Sequence, residues 1–474
     1  MSHIAIVGAG VAGLSVAFEL LQRRTGHAVH LYEASNLPGG NIRTDYVDGF
    51  TIEWGPNGFL DSVPETLDLV ERLGISDRLL PASMASKRRF IWRNGRLREV
   101  KPNPVAFLAS GLLSWSGKLR IMAEPFTDTP PDGDQTVFEF ATRHIGEEAA
   151  SVLVDAMVSG VFAGNARELS LKSAFPRMHE MESRYTSLVR ALLARMRERR
   201  PEGENAKPHS RLQQAYAPAA GPAGHLTSFR GGMSDLISAL VRAVGPERIR
   251  FRAKVETVGR DRCGAFRLHL AQAQVAEADA LILAVPAWNA APLVRDLAPD
   301  MAAALEDIPG APLCVVATAF KRTDVKHPLD GFGFLVPRGQ GLTILGSLWT
   351  SSIFPGRAPE GWVLLRTMVG GAHLPTLASL SDTELLRIVR GDLRTSLGIT
   401  ARPALWRIYR HPRGIPQYTV GHEDRLGRIH AACDAIPGLY VIGNSYEGIA
   451  VNACVKAAAP LAKRVARDVP VRHR

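Results

Sequence analysis

A glycine-rich turn close to the start of the sequence constrains the fold more than any other feature. Residues 3–7 form a short, apolar run typical of a buried parallel strand, and residues 28–32 form a second one. Between them lie Gly8, Gly10 and Gly13 of a Gly-x-Gly-x-x-Gly motif, followed by apolar residues at helical spacing. The pattern predicts a strand–helix–strand unit, from which doubly wound α/β folds are built.

Each part of this motif has a physical use in binding a dinucleotide. Gly8 permits a tight turn, Gly10 lets the backbone approach a pyrophosphate, and Gly13 lets the helix pack closely on the strand. Unpaired N–H groups at the start of the helix attract phosphate oxygens. Glu33, twenty residues after the third glycine, is placed to accept hydrogen bonds from ribose hydroxyls. Together these features favour a dinucleotide site over an ordinary glycine turn beside a surface glutamate.

A second glycine turn favours FAD over NAD. Gly39 and Gly40 are followed by Asn41 and Arg43, which adds backbone donors and a cation for the same pyrophosphate. This Gly-Gly-x-x-Arg element resembles that of the flavin amine-oxidase superfamily, in which it contacts FAD. The redox disulfide of glutathione-reductase-like flavoproteins is excluded, because no cysteine of this sequence precedes Cys263. The sequence also lacks a second such glycine motif for a nicotinamide, so we expect electrons to pass from the flavin to oxygen.

Composition excludes several other classes of protein. The sequence has 474 residues, 46% hydrophobic and 22% charged, as expected of a globular protein. Its net charge is +11, but the basic residues are dispersed and not interleaved with aromatic ones, so we expect no nucleic-acid partner. The four cysteines form no CxxC pair, which argues against a metal site and suits a reducing compartment. No apolar run reaches the length of a spanning helix, about 18 residues.

The rest of the sequence separates into regions by pattern. Residues 103–200 have mostly helical patterns. Residues 201–225 are rich in proline, alanine, glycine and polar residues, which predicts a flexible loop. Between residues 313 and 369, apolar or alternating runs separated by glycine and proline predict an antiparallel sheet.

Further segments narrow the resemblance to one family. The most specific are Gly-Phe-Gly-Phe-Leu-Val-Pro at 331–337, Ile-Pro-Gln-Tyr at 415–418 and Tyr-Glu-Gly-Ile-Ala-Val-Asn at 446–452. Together with segments at 87–95 and 158–164, they occur in the order found in oxygen-dependent, FAD-containing protoporphyrinogen oxidases. The sequence resembles this family over nearly its whole length.

The resemblance implies both an activity and a fold. Members oxidise a porphyrinogen to the porphyrin in haem biosynthesis, removing six electrons in three flavin cycles, with oxygen as acceptor and hydrogen peroxide as by-product. The implied fold is α/β, with a Rossmann-type FAD-binding domain, a mixed-sheet substrate domain and a helical membrane-binding domain. We assign residues 1–85, 226–300 and 413–474 to the first, 86–102 and 301–412 to the second, and 103–200 to the third. One FAD per chain is expected, bound non-covalently.

The predicted cofactor site combines the two glycine turns with positions that follow from the resemblance. Its residues are Gly8, Ala9, Gly10, Val11, Ala12, Gly13, Glu33, Ala34, Gly40, Asn41, Arg43, Gly55, Pro56, Asn57, Gly58, Val255, His411, Ile449, Ala450 and Val451. His411 stands where the family has a tryptophan, and it either contacts the flavin or satisfies a turn.

The substrate residues also follow from the resemblance. Arg89 matches the family arginine that binds a propionate, a role suited to a guanidinium that stays charged and grips a carboxylate through two N–H groups. Its neighbours Lys87 and Arg88 compete for this role. The predicted apolar walls for the macrocycle are the backbone at Gly160 and the side chains of Leu335, Leu348 and Met368, with ordinary core positions as the alternative. The family often has an aromatic residue in place of Met368. No catalytic acid or base is assigned, because the flavin itself accepts the hydride.

Partners and location are predicted from the same features. Apolar residues 105–109 and 112–115, followed by Lys118 and Arg120, suit peripheral contact with an anionic membrane, and inward packing is the alternative. We expect the cytoplasmic side of a bacterial cell membrane. The porphyrinogen and oxygen are the expected small-molecule partners, and the next haem-pathway enzyme and a second copy of the chain are candidate protein partners.

Three other functions compete with this hypothesis. Close relatives oxidise coproporphyrinogen III, whose four propionates would need more cations around the site. A flavin amine oxidase would need an aromatic cage and often a cysteine for covalent attachment, which residues 443–448 do not contain. A non-catalytic porphyrin-binding protein is the third alternative.

Overall fold

The motif-bearing strand lies at the centre of a five-stranded parallel sheet in the computed structural model, which describes residues 2–101, 103–128, 132–198 and 224–470. The strand order is Ile249–Arg250, Ala28–Tyr32, His3–Val7, Ala280–Leu283 and Leu439–Val441. The two inner strands His3–Val7 and Ala280–Leu283 are apolar at every residue except His3, because both faces of a parallel sheet are covered.

Alternate residues of the central strand face two different layers. Ile4 and Ile6 pack against one layer, whereas Ala5 and Val7 pack against the other. The first layer consists of the helices Val11–Gln22, Pro64–Arg72, Ser234–Val244 and Val451–Asp468. The second consists of the antiparallel strands Val255–Arg260, Phe266–Leu270 and Gln274–Ala278 and the helices Ala287–Val294, Pro299–Glu306 and His422–Ala435. The predicted α/β class is confirmed, and the layers agree with a Rossmann-type sheet.

A seven-stranded sheet forms the core of the second main unit. Its order is Leu405–Pro416, Gly310–Lys321, Trp362–Gly370, Gly346–Leu348, Gly333–Leu335, Phe90–Arg93 and Arg96–Glu99. Only Gly333–Leu335 and Phe90–Arg93 pair in parallel, so this sheet is mixed. The helix Asp382–Leu397 covers one face, and the hairpin of Thr44–Val47 and Phe50–Glu53 packs on the other. The boundaries predicted after residues 300 and 412 fall inside the helix Pro299–Glu306 and the strand Leu405–Pro416.

Residues 103–128 and 132–198 are mainly helical. The helices are Pro104–Leu108, Trp115–Met122, Val137–Ile145, Glu147–Ala149, Asp155–Phe162, Leu171–Ala174, Pro176–Tyr185 and Leu188–Glu198. The segment Ala150–Val154, between two of them, is π-helical. The loop predicted at 201–225 lies outside the described residues except for its last two.

Shorter elements complete the fold. The strands Phe59–Leu60, Leu226–Phe229 and Leu79–Pro81 form a three-stranded sheet, and a short helix spans Thr350–Ile353. Among the described residues, no helix has both the length and the apolar composition needed to cross a bilayer.

A fully buried ion pair ties the hairpin to the loop that follows the helix Thr350–Ile353. The Glu53 carboxylate lies 3.3 Å from a guanidinium nitrogen of Arg357, and neither side chain is exposed. Glu53 also accepts hydrogen bonds from Thr44 Oγ1 at 2.7 Å and from the Met233 backbone N–H at 2.9 Å. Burial raises the pKa of Glu53 and lowers the pKa of Arg357, in each case against the attraction of the partner charge.

Replacing Arg357 by methionine would leave the Glu53 carboxylate buried without its cation. We expect Arg357→Met to lower the free energy of unfolding by about 3–5 kcal/mol, measured by urea denaturation. The control is Arg267→Met, which removes an exposed cross-strand pair with Glu277 and should cost less than about 1 kcal/mol. Equal losses in the two variants would show that burial adds nothing to the importance of the first pair.

Candidate active site

The first glycine turn has the close contacts that its motif requires. Gly8 has a φ of 104°, and a Cβ atom on it would lie 2.8 Å from the carbonyl oxygen of Ala284. A Cβ atom on Gly13 would lie 2.1 Å from the Gly8 carbonyl oxygen. The first helix therefore meets the strand at a distance that excludes any side chain.

The second glycine turn lies directly against the first. The Gly39 N–H donates to the Ala9 carbonyl at 2.8 Å, and a Cβ atom on Gly40 would lie 3.7 Å from Gly10 Cα. A Cβ atom on Gly10 itself would meet nothing within 4 Å. The helix that follows Gly10 has no side-chain cap, so its first N–H groups have no side-chain partner. The two predicted segments thus come together beside the open space at Gly10 and the uncapped start of the helix.

Glu33 connects the first turn to the neighbouring edge of the sheet. Its Oε2 accepts a hydrogen bond from the Ala9 N–H at 2.9 Å, and its Oε1 accepts one from the Ser35 N–H at 2.8 Å. The Arg43 guanidinium donates to Ser35 Oγ at 3.2 Å. The Ala253 N–H donates to the Glu33 backbone carbonyl, which brings the strand of Val255 close to the site. Each carboxylate oxygen keeps a lone pair, so the proposed ribose contact remains chemically available.

The segment from Gly55 to Gly58 is packed too closely for larger residues at its ends. A Cβ atom on Gly55 would lie 2.2 Å from the Asn41 carbonyl, and one on Gly58 would lie 2.5 Å from the Thr227 carbonyl. Between them, both polar atoms of the Asn57 amide are buried and have no hydrogen-bond partner. Because buried amides are normally paired, this side chain marks a place where a polar ligand edge would fit.

The final helix supplies a second uncapped N-terminus. It begins after Ala450, has no side-chain cap and carries no acidic residue in its first turn. The preceding loop is fixed by Tyr418, whose hydroxyl donates to the Asn444 carbonyl and accepts from the Gly448 N–H at 3.0 Å. Burial raises the pKa of this hydroxyl, so it stays protonated and keeps both bonds. Tyr418 was part of the family resemblance, but its positioning role was not predicted.

His411 binds the protein backbone. Its Nε2 lies 3.1 Å from the Trp54 carbonyl oxygen, and burial lowers its pKa, which keeps the imidazole neutral at pH 7. The Trp54 ring in turn stacks on Tyr409 with 4.8 Å between centroids. This contact occupies one ring nitrogen of His411 and leaves both predicted roles open.

The predicted apolar wall residues lie together. Cross-strand register aligns Leu335 with Gly346 and Gly346 with Met368, and Leu348 stands two residues further on the same face. All three side chains are partly exposed, whereas their strand neighbours Phe334, Ser347 and Thr367 are buried. Gly160 faces this wall from the helix Asp155–Phe162, and a Cβ atom on it would lie 2.5 Å from Leu335 Cδ2.

Arg89 and Arg88 differ in their partners. Arg88 forms ion pairs with Glu99 at 3.2 Å and with Asp330. Arg89 is exposed, lies 5.1 Å from the Phe332 ring centroid and forms no salt bridge within the described residues. The charge of Arg89 is therefore available for an external carboxylate, whereas the charge of Arg88 is already paired with carboxylates of the protein.

Arg366 is a site residue that sequence reasoning missed. It stands two residues before Met368 in the same strand and on the same face, and it donates to the Gly55 carbonyl at 2.6 Å. Burial lowers its pKa to about 10, so it remains charged at pH 7. The period-two spacing to Met368 is the signal that could have identified it. This contact joins the apolar wall to the Gly55–Gly58 segment.

These contacts have the arrangement of a two-unit flavoprotein oxidoreductase. The glycine turns lie on one sheet, the apolar wall lies on a second sheet, and Arg366 joins the wall to the Gly55–Gly58 segment. The chain belongs to the family of flavin-containing amine oxidoreductases, which matches residues 11–469. Membership in this family makes the protein a flavoprotein. Among the described residues, no group of three or more histidine, cysteine, aspartate or glutamate side chains is arranged to hold a metal ion.

Within this family, the chain is similar to proteins named as porphyrinogen oxidases. The chain is 29% identical to coproporphyrinogen III oxidase of Bacillus subtilis, over 96% of this chain and 95% of that protein. It is 30% identical to chloroplastic protoporphyrinogen oxidase of Nicotiana tabacum, over 97% of this chain and 84% of that protein. A crystal structure from Exiguobacterium sp. 255-15, provisionally described as a protoporphyrinogen oxidase, has a TM-score of 0.82 and 26% identity, covering 98% and 99% of the two chains. The predicted family resemblance is confirmed.

Gly13 and Gly10 give a direct test of the packing of the first turn, because Gly13 is closely packed and Gly10 borders open space. Gly13→Ala places a methyl group against the Gly8 carbonyl and should lower the free energy of unfolding by about 1–3 kcal/mol. Gly10→Ala meets open space and should leave the stability of the cofactor-free protein nearly unchanged. Thermal unfolding of both apoproteins checks this, and equal stability of the two would contradict the close packing at Gly13.

Proposed function

We propose that this protein oxidises protoporphyrinogen IX to protoporphyrin IX, with oxygen as acceptor. Three rounds of two-electron oxidation remove six hydrogens and convert three molecules of oxygen to three of hydrogen peroxide. The observation that carries the proposal is the wall of Leu335, Leu348 and Met368 faced by Gly160. The unpaired Arg89 guanidinium lies 5.1 Å from the ring centroid of Phe332, the residue before Gly333, which pairs with Leu348. An apolar macrocycle with carboxylate side chains needs this combination of a flat apolar surface and an available cation. The similarity to enzymes named for porphyrinogen oxidation supports the same conclusion.

The cofactor we propose is FAD, one per chain and held without a covalent bond. The open space at Gly10, the two uncapped helix starts and the orphaned amide of Asn57 all fit an extended, phosphate-containing flavin. Glu33 would accept ribose hydroxyls, and Arg43 would support the pyrophosphate. Cys454, four residues after Ala450, is buried, and burial raises its pKa to about 12, so it does not offer a thiolate for attachment.

The chain's own residues would bind and orient the substrate. The bound flavin supplies the hydride acceptor, which is why no acid or base of the protein is assigned. Arg89 would hold a propionate at the mouth of the site, where its charge needs no desolvation. Leu335, Leu348 and Met368 would pack on the ring, and Met368 can follow a flat surface because its side chain is flexible. Arg366 would hold the Gly55–Gly58 segment at a fixed distance from this wall through its hydrogen bond to the Gly55 carbonyl.

Coproporphyrinogen III is the second candidate substrate, because one of the relatives above acts on it by name. Its four carboxylates would need more cations than Arg89 alone. Lys87 is exposed and, within the described residues, forms no salt bridge, so it offers a second cation on the same segment. The two arms of the assay below separate these substrates.

The test is a porphyrin fluorescence assay on the purified, flavin-loaded protein in air. Protoporphyrinogen IX and coproporphyrinogen III are supplied separately, and hydrogen peroxide is measured in parallel. Faster turnover of the first with three peroxides per porphyrin supports the proposal. Preference for the second keeps the mechanism and changes the substrate, and oxidation of neither refutes the function.

Removing the free guanidinium should weaken substrate binding specifically. We expect Arg89→Ala to raise the KM for porphyrinogen about tenfold, with kcat little changed and the flavin content unaltered. Arg96→Ala, an exposed arginine of the neighbouring strand, is the control and should behave as wild type. Loss of flavin in Arg89→Ala would refute its assignment to the substrate.

We also propose that the protein acts in the cytoplasm, in contact with the surface of the cell membrane. Large apolar side chains at Trp115, Leu119, Met122 and Phe126 are more than 60% exposed and follow helical spacing. Part of the predicted segment packs inward instead. Leu112 and Leu113 are buried against the helical region, and Lys118 is buried with its ammonium 4.6 Å from the Trp115 ring centroid. Val105 of the predicted segment is exposed as well, and the exposed apolar side chains continue to Phe126, further along the chain than predicted.

Vesicle binding tests this contact. We expect Trp115→Ser combined with Phe126→Ser to reduce sedimentation with vesicles of phosphatidylglycerol and phosphatidylcholine about tenfold or more, because two apolar anchors are lost. Val275→Ser, at an exposed apolar residue of the antiparallel sheet, is the matched control. Equal binding by the two variants would refute the proposed face.

A further inference from the structure

A charged pair joins the helix that faces the apolar wall to the segment that follows the strand Gly333–Leu335. Asp155 is the first residue of the helix Asp155–Phe162, and its carboxylate is almost fully buried. Arg338 donates to both carboxylate oxygens, from Nε to Oδ2 at 3.0 Å and from a terminal nitrogen to Oδ1 at 2.7 Å. This is the two-pronged geometry of the strongest protein ion pairs.

One guanidinium holds both ends of this helix. The terminal nitrogen that binds Asp155 also donates to Asn165 Oδ1 at 3.0 Å, three residues beyond the last residue of the helix. The helix has irregular backbone on either side, since it follows the π-helical segment Ala150–Val154 and is capped by Ala163 with a left-handed φ of 47°. Neither flank continues the helix with regular α-helical backbone, so the two Arg338 contacts fall where the backbone is irregular.

The pair is close in sequence to two wall residues. Gly160 lies on the clamped helix, and Leu335 lies three residues before Arg338. The Gly160 backbone and the Leu335 side chain are in close contact, since a Cβ atom on Gly160 would lie 2.5 Å from Leu335 Cδ2. A shift of the helix relative to the strand would change this separation directly.

The electrostatic surroundings leave Arg338 as the main partner of the carboxylate. His373 Nε2 lies 3.8 Å from Asp155 Oδ1, but the histidine is buried, which lowers its pKa and keeps it neutral at pH 7. Among the described residues, no other cation lies within salt-bridge distance of Asp155. Because its charge is paired with that of Asp155, Arg338 attracts a substrate carboxylate less than the unpaired Arg89 does.

We infer that the Asp155–Arg338 pair is a positioning device that sets the separation of Gly160 and Leu335 and thereby the binding of the macrocycle. The inference rests on the proposed function. Both residues act through the wall and are positioning residues, not catalytic ones.

The experiment compares KM, kcat and flavin content in variants of the flavin-loaded protein. Arg338→Met should raise the KM for porphyrinogen about tenfold with kcat and flavin content little changed, and Arg338→Lys should recover part of the loss. Arg295→Met, which removes an exposed pair with Glu306, is the control and should leave KM unchanged. Should Arg338→Met fail to fold, Asp155→Asn combined with Arg338→Gln removes both charges together and should show the same raised KM.

Two results would overturn the inference. A wild-type KM in both Arg338→Met and the double variant would show that the pair does not position the wall. A raised KM that follows flavin loss in each variant would show a general structural effect instead. The wild-type assay tests the proposed function separately. If the wild-type protein oxidises neither porphyrinogen, the proposed function is refuted, and the inference about substrate binding is refuted with it.

Discussion

The close contact between the Gly8 carbonyl and Gly13 determines how the first helix meets the sheet. A Cβ atom on residue 13 would lie only 2.1 Å from the Gly8 carbonyl oxygen, which no side chain can tolerate. The helix that starts at this distance has no side-chain cap, and the space beside its N-cap residue Gly10 is open. The Gly39–Gly40 turn then closes on the same point through its bond to the Ala9 carbonyl. The cofactor side of the molecule is thus organised around a backbone approach that only glycine permits.

Local sequence patterns predicted the first strand–helix–strand unit and its glycine turn, for a physical reason. A strand–turn–helix–strand unit is encoded within about thirty consecutive residues, so period, glycine spacing and the acidic residue at its end can be read together. The same holds for the helical character of residues 103–128 and 132–198. The specific substrate segments were recognised by resemblance, since no local rule places Leu335 beside Gly160.

The features that were missed depend on contacts between distant residues. Arg366 became visible only when strand pairing placed it beneath the Gly55 carbonyl, more than 300 residues earlier in the sequence. Which of two neighbouring arginines is free could not be decided before the structure paired Arg88 with Glu99 and Asp330. In the same way, apolar Leu112 and exposed Trp115 have similar sequence surroundings, and only the packing of the helical region separates them.

The order of strands in the parallel sheet has a consequence for how this protein is made. Its central strand pairs with residues 28–32 and 280–283, and residues 439–441 complete the sheet at one edge. During synthesis, the first strand–helix unit therefore waits for segments produced hundreds of residues later before both faces of its sheet are covered. Such long-range pairing slows folding and leaves apolar strands exposed in the nascent chain. We expect the flavin site to be complete only after residues 451–468 have been made, since the helix Val451–Asp468 contributes one of the two uncapped N-termini.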